Sequence, residues 1–230
     1  MDALVERPPV ITIEDVLRVQ GADPERIRTR NPDIWSTTRR AIEYGTALLE
    51  KSAVRRKFRV TGLLHQKVLL EGRHTLSGPL VSRYFSNARE VWIVACTIGP
   101  RLEEAVSTFY ESDPVFACAL DSFGTLSIEA LIVDECKQIE AIAASQGFKS
   151  TMPLCPGMEG WPLDVGQRQL FQALNFRDST ITLTDSYQML PRKSASMAIG
   201  VGPDVDADSR PCDLCSVRLT CKHRESYAGA

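Results

Sequence analysis

The apolar positions of the chain follow two rhythms. From Pro114 to about Ser145, Phe116, Leu120, Phe123, Leu126, Ala130, Leu131 and Ile139 recur mostly at steps of three and four, the spacing of one helical face. Proline at the start suits a first helical turn, where no backbone donor is missed. At about 1.5 Å per residue such a helix crosses a whole domain, and Ala119 and Gly124 leave room for close packing. Glu90-Val91-Trp92-Ile93-Val94-Ala95-Cys96 is instead a nearly continuous apolar run, the pattern of a buried strand. It ends in Thr97-Ile98-Gly99-Pro100, a turn that launches a helix over 101–110.

The other segments are shorter. Residues 11–19 predict a helix capped by Thr12 and ended by Gly21. A second helix begins at Asn31-Pro32, with Ile34, Ala41, Ile42, Leu48 and Leu49 as its apolar stripe and Arg39, Arg40 and Lys51 toward water. Strands are predicted over 58–64 and 67–70, joined by a short connection in which His65 is an exposed turn residue. A short helix covers 81–85. Asp164 caps a helix running through Leu174, with Val165, Leu170, Phe171 and Leu174 inward. A strand over 180–184, a turn-rich loop over 185–191 and a strand over 196–201 follow, then an acidic linker, 203–211, with little to bury. Asp121 and Asp134 are surface or capping acids. The elements are mixed rather than strictly alternating, which predicts an α+β fold with a mixed sheet packed against long helices.

One stretch fits neither rhythm. Pro153-Leu154-Cys155-Pro156-Gly157-Met158-Glu159-Gly160-Trp161-Pro162 holds three prolines and two glycines in ten residues. It cannot be a regular helix or a central strand. Leu154, Met158 and Trp161 would be costly to leave in water, so this apolar, conformationally fixed loop lies against the core, a partner or a flat ligand.

Composition narrows the field. The 230 residues are 43% apolar and 24% charged, with a net charge of −2. These values fit a soluble globular protein and give no sign of a general nucleic-acid or bilayer binder. No continuous apolar run approaches the roughly 20 residues of a membrane span, and the acidic, proline-bearing start lacks the core of a signal peptide, so a cytoplasmic location is expected. Cys96, Cys118 and Cys136 fall within apolar patterns and are read as small buried hydrophobes. Cys212-x2-Cys215-x5-Cys221-x-His223 is different in kind, because it lies in a polar tail and in a reducing compartment such clustering points to metal. Zinc would take the three thiolates with His223 as fourth ligand. An iron–sulfur cluster would take the thiolates alone, with Cys155 able to supply a fourth or with one corner left open. The spacing does not separate the two, since both metals accept tetrahedral sulfur.

From Val91 onward the order of features resembles the reactivation domain of cobalamin-dependent methionine synthase, in particular its stand-alone relatives. The loop with Pro156 and Gly157 looks like that family's Arg-x-x-Pro-Gly-Tyr loop, and WPLDVGQRQLFQAL like the helix after it. ITLTDSYQMLPRKSASMAIGVG resembles the segment with a Thr-Glu-Ser turn, a methionine, a proline and a Ser-x-Ser strand. TIGPRLEE and LDSFGTLSIEALIVDECKQIE resemble the upstream turn and long helix, and stand-alone relatives carry a similar cysteine trio followed by an arginine, here Arg224. The resemblance covers residues 10–202 and rests on the order of these motifs.

It implies a single helmet-like domain over 1–202, followed by a linker and Cys-rich metal-binding tail over 203–230. It further implies docking on a corrinoid protein or cobalamin-dependent methyltransferase, and reductive remethylation of that partner's cob(II)alamin with S-adenosylmethionine as methyl donor. Cys155, Pro156, Gly157, Met158 and Trp161, with Thr184 and Ser186, would line the corrinoid or S-adenosylmethionine face. Such chemistry needs proximity and exclusion of water more than an acid–base pair. Three departures stand out: Pro153 replaces the family's arginine, Met158 its loop tyrosine, and no tyrosine occurs near 206–209. Loss of the arginine removes a charge-assisted bond of about 1.5–3 kcal/mol to the donor's amino acid end. The alternative is a non-enzymatic module that docks on or assembles a corrinoid protein and is stapled by zinc. A cysteine nucleophile at Cys155 has no histidine at a spacing that points to it.

Overall fold

The computed structural model describes residues 10–175, 180–210 and 214. The chain begins with three helices, α1 (Ile13–Val19), α2 (Pro24–Arg30) and α3 (Pro32–Thr46). Strands β1 (Ser52–Leu64), β2 (Lys67–Leu70) and β3 (Thr75–Ser77) follow, then α4 (Pro79–Tyr84) and β4 (Glu90–Thr97). Helices α5 (Arg101–Phe109) and α6 (Pro114–Ser145) lead to β5 (Lys149–Ser150) and α7 (Leu163–Leu174). The last strands are β6 (Thr182–Leu183), β7 (Met189–Leu190) and β8 (Ser194–Gly202).

Six strands form one sheet in the order β3-β2-β1-β4-β8-β5, and β6 and β7 pair separately. The α+β class is as expected, but every ladder is antiparallel rather than mixed. The reason is local. Strands β1, β2 and β3 are joined by tight turns, in which His65 takes a φ of 52°, and antiparallel neighbours need only such turns. At the centre, β4 is flanked by β1 from Ser52↔Thr97 to Arg59↔Glu90 and by β8 from Glu90↔Val201 to Thr97↔Ser194.

Burial on both faces accounts for the unbroken apolar run of β4. Val91, Ile93 and Ala95 join Ala198 in a core closed by α4, α7 and the 153–162 loop. Val94 packs with Met197, Ile199 and Val201 under Ile139 and Ala143 of α6. A third cluster, with Cys96, Ile98, Leu102, Phe116, Leu120 and Phe123, joins α1, α3 and α5 to the first half of α6. Each of the Val, Leu, Ile, Phe and Met side chains among them contributes about 1.5–3 kcal/mol on full burial.

Helix α6 has the bounds its periodicity predicts. Asp113 caps it, accepting from the Phe116 amide at 3.1 Å. Gly124 lets Leu102 approach so closely that a Cβ there would lie 2.6 Å from a Leu102 methyl. The helix is long and apolar enough to cross a membrane by length and composition, yet its large side chains fill two of the three clusters, the position of a core helix.

Several expectations are corrected. Helix α2 was not expected; Asp23 caps it and Pro24 follows, but none of its residues is buried, so no apolar periodicity marks it. Asn31 stands at the start of α3 without a side-chain capping bond. Strand β1 begins at Ser52, six residues early, because its charged positions hide the alternation. Pro162, not Asp164, is the cap residue of α7. Cys118 is exposed, whereas Cys96 is buried. The linker also has something to bury: Val205 belongs to the first core, and Tyr84 Oη donates to Ser209 Oγ at 3.3 Å.

Glu135 lies within the α6 core face, its side chain 8% exposed, with Arg55 Nη1 at 3.2 Å. Burial raises its carboxyl pKa, with Asp134 adding to the rise and Arg55 opposing it. The folded state therefore holds this proton to higher pH than the unfolded chain does. The associated stability is full below the ordinary carboxylate range and is lost as pH rises through the raised value. Urea titrations from about pH 4 to about pH 8 should show wild type losing stability relative to Glu135→Gln. Parallel profiles would contradict this.

Candidate functional site

The 153–162 loop starts as an extension of the sheet. Leu154 and Ala198 exchange both backbone hydrogen bonds at 2.9 Å, so the chain leaves the edge of β8 at Cys155. It then folds on itself. The Met158 amide donates to Cys155 O at 3.2 Å, the Gly157 amide to Trp161 O at 2.8 Å and the Trp161 amide to Met158 O at 2.9 Å. Gly157 and Gly160 take φ of 97° and 86°, which explains glycine at both positions.

Beneath the loop Trp161 is 0% exposed, in a slot between α4, α7 and the sheet. Leu80 N donates to Gly160 O at 3.2 Å, fastening the loop to the start of α4. On the other side, a Cβ on Gly166 of α7 would come within 2.7 Å of Pro156 and 3.0 Å of Trp161. Helix α7 is itself fixed at two points. Ser196 Oγ of β8 donates to the buried Gln167 Oε1 at 2.9 Å, and Ser77 N of β3 donates to Gln169 Oε1 at 3.1 Å.

The second loop carries Thr184 and Ser186 between β6 and β7. Thr184 Oγ1 lies 3.0 Å from Ser186 Oγ and accepts from the Gln188 amide at 3.1 Å. Arg168 of α7 donates from Nη2 to Tyr187 Oη at 3.1 Å and lies 5.5 Å over the Tyr187 ring. Farther on, Arg192 N donates to Glu103 Oε2 at 2.8 Å, and Lys193 Nζ reaches both Asp121 Oδ1 and Thr125 Oγ1 at 2.8 Å. Both loops are thus tied to α7, the first through Gly166 and the second through Arg168.

The expected site residues divide by exposure. Gly157 and Ser186 are exposed, Cys155, Pro156, Met158 and Thr184 are half-buried, and Trp161 lies under the loop rather than on its surface. Arg168 and Tyr187 are not marked by the sequence pattern. The Asp164-to-Arg168 spacing of four signals a helical ion pair, seen at 3.8 Å, but nothing local announces the bond to Tyr187.

Burial pushes the Cys155 thiol up to about 11. Burial likewise raises Cys96 and Cys136 to about 12, assisted at Cys136 by its neighbour Cys155. All three are thiols, not thiolates, near neutral pH, the state of packing residues rather than nucleophiles. His65 sits in the β1–β2 turn and His74 packs edge-on to Phe58 with ring centroids 5.2 Å apart. The site offers an apolar loop, paired hydroxyls and a cation tethered to Tyr187 and Asp164. Cys212, Cys215, Cys221 and His223 lie outside the described residues. Leu214, between Cys212 and Cys215 in the chain, packs against the first core.

A six-stranded antiparallel sheet crossed by a long core helix, with two loops fixed about a shorter helix, is an α+β fold of a recognisable kind. Among solved structures it is similar to the MetH reactivation domain bound to AdoHcy, with a TM-score of 0.59 over 98% of this chain and 90% of that one. Sequence identity is 12%, so the likeness is one of fold. No family model and no curated protein matches the sequence.

Proposed function

We propose that this protein is a reactivation factor for a corrinoid-dependent methyltransferase. It would dock on the corrinoid protein through the two loops and support return of cob(II)alamin to the methylated state. One electron from an external donor reduces cobalt to cob(I), which takes the methyl group of S-adenosylmethionine and leaves S-adenosylhomocysteine. The observation that carries this reading is the fold likeness over nearly the whole chain to a domain whose complex holds AdoHcy. Pro156, Gly157 and Met158 would present the apolar loop to the corrinoid, and Thr184 and Ser186 would offer hydroxyls at its edge. With Pro153 where the resemblance expects an arginine, Arg168 is the cation available for the donor's carboxylate, steadied by Tyr187. Trp161 would act from beneath by fixing loop shape. The tail cysteines would hold an iron–sulfur cluster that passes the electron, or zinc that staples the tail.

Docking is tested by sedimentation with a corrinoid-binding domain carrying cob(II)alamin. A defined complex is expected, weakened about ten-fold or more by charge changes at the exposed loop positions Glu159→Arg and Ser186→Arg. Failure to form a complex, or equal binding by both variants, would overturn the assignment of this face. A complex with a colourless zinc protein that leaves cobalt unchanged would establish the assembly module instead.

A further inference from the structure

Beside the C-terminal end of β8 lies a cavity of about 440 Å³, lined by Arg59, Val60, Ala88, Arg89, Glu90 and Phe148. Its volume is in the range of small-molecule sites. We infer that it binds an oxyanion-bearing small molecule, a phosphate or carboxylate gripped by Arg59 and Arg89.

The charge pattern carries the argument. Arg59 of β1 and Glu90 of β4 are cross-strand partners, the arrangement in which an ion pair would ordinarily form. Glu90 Oε1 is taken instead by Lys57 Nζ, on the same strand as Arg59, at 3.0 Å. Lys57 thereby compensates the charge of the one acid in the lining, whose Oε2 is buried with no hydrogen-bond partner among the described residues, while Arg59 and Arg89, both exposed, have no carboxylate partner among the described residues. Arg89 lies 5.4 Å over the ring of Phe148. A guanidinium held against a ring keeps N–H groups for a second partner, and its planar fork suits bidentate capture of carboxylate or phosphate.

The frame behind these side chains is fixed. Val60 N donates to Arg89 O, and Arg89 N to Val201 O, both at 2.9 Å, tying β1, the segment before β4 and β8 together. Arg59 N donates to Glu71 Oε1 at 3.1 Å, which holds the Glu71 carboxylate to the backbone.

Thermal unfolding at constant ionic strength tests this with three probes: inorganic phosphate, glycerol 3-phosphate and malonate. The midpoint should rise saturably with at least one of them, and a preference for the phosphates or for malonate identifies the head group. Arg59→Gln/Arg89→Gln should lose about ten-fold or more in affinity while keeping the unliganded midpoint. Should that variant fold poorly, Arg59→Lys/Arg89→Lys keeps the charge and removes the planar fork, and it should also bind more weakly. No saturable rise with any probe, or an equal rise in the variants, would overturn the inference. Neither result bears on docking through the loops, which uses other residues.

Discussion

Trp161→Ala is expected to cost about 3–5 kcal/mol of stability, the range for deleting a large core aromatic. The indole is fully buried between α4, α7 and the sheet, and it heads the fully buried side chains in size. Its removal leaves a cavity under the loop, against Gly78 and Gly166, whose lack of side chains makes room for the ring. Trp161→Phe should cost far less. A phenyl ring fills much of the slot, and the substitution deletes an indole N–H that has no hydrogen-bond partner among the described residues. Such an orphan carries a penalty of about 1–3 kcal/mol, which offsets part of the lost packing. Urea unfolding of the two variants checks the pair. Equal losses would mean that the N–H finds a partner in solution and that ring volume is not what supports the loop.

Gly78→Ala is the second large effect, and it acts on the backbone. Gly78 takes φ 153° and ψ 150° at the start of α4, a region essentially confined to glycine, at a strain of about 1–3 kcal/mol for other residues. Its Cβ would also stand 2.6 Å from Gly160 O, and a backbone oxygen held by Leu80 N has little freedom to move. The variant should therefore unseat the loop from α4 while the far side of the sheet stays folded. Hydrogen exchange at the amides of Leu80, Gly157 and Trp161 should accelerate by about ten-fold per 1.4 kcal/mol of local destabilisation. The amides of β4 paired with β1 should keep the protection they have in the wild type. Unchanged exchange at the three loop amides would show that loop and α4 are not coupled.

These effects centre on a loop whose character is legible in the sequence. Prolines and glycines set among Leu154, Met158 and Trp161 demand a fixed, apolar, seated segment, and the fold seats it against α4 and α7. The two-sided burial of β4 and the bounds of α6 are equally plain, because long apolar patterns leave few alternatives. What the sequence hides has physical causes. Helix α2 buries nothing, so its cap and proline have no periodicity to support them. The first half of β1 carries Arg55, Arg56 and Lys57, of which Arg56 lies over the Phe58 ring and Lys57 over the Trp92 ring, while their charges mask the alternation. Tyr187 meets Arg168 across 19 residues of chain, a pairing made by tertiary packing alone. Arg59 and Arg89 have the pattern of ordinary surface charges, and only the strand register, with Glu90 bound to Lys57, sets them apart.

A corrinoid-binding domain is loaded with cob(II)alamin without oxygen and mixed with S-adenosylmethionine and a low-potential reductant, and its visible spectrum is followed with and without this protein. The account predicts loss of the cob(II) band and growth of the methylcob(III) spectrum, faster by about ten-fold or more with the protein present, with one S-adenosylhomocysteine formed per cobalt. A complex that forms but leaves the rate unchanged would contradict it and reduce the protein to a docking module.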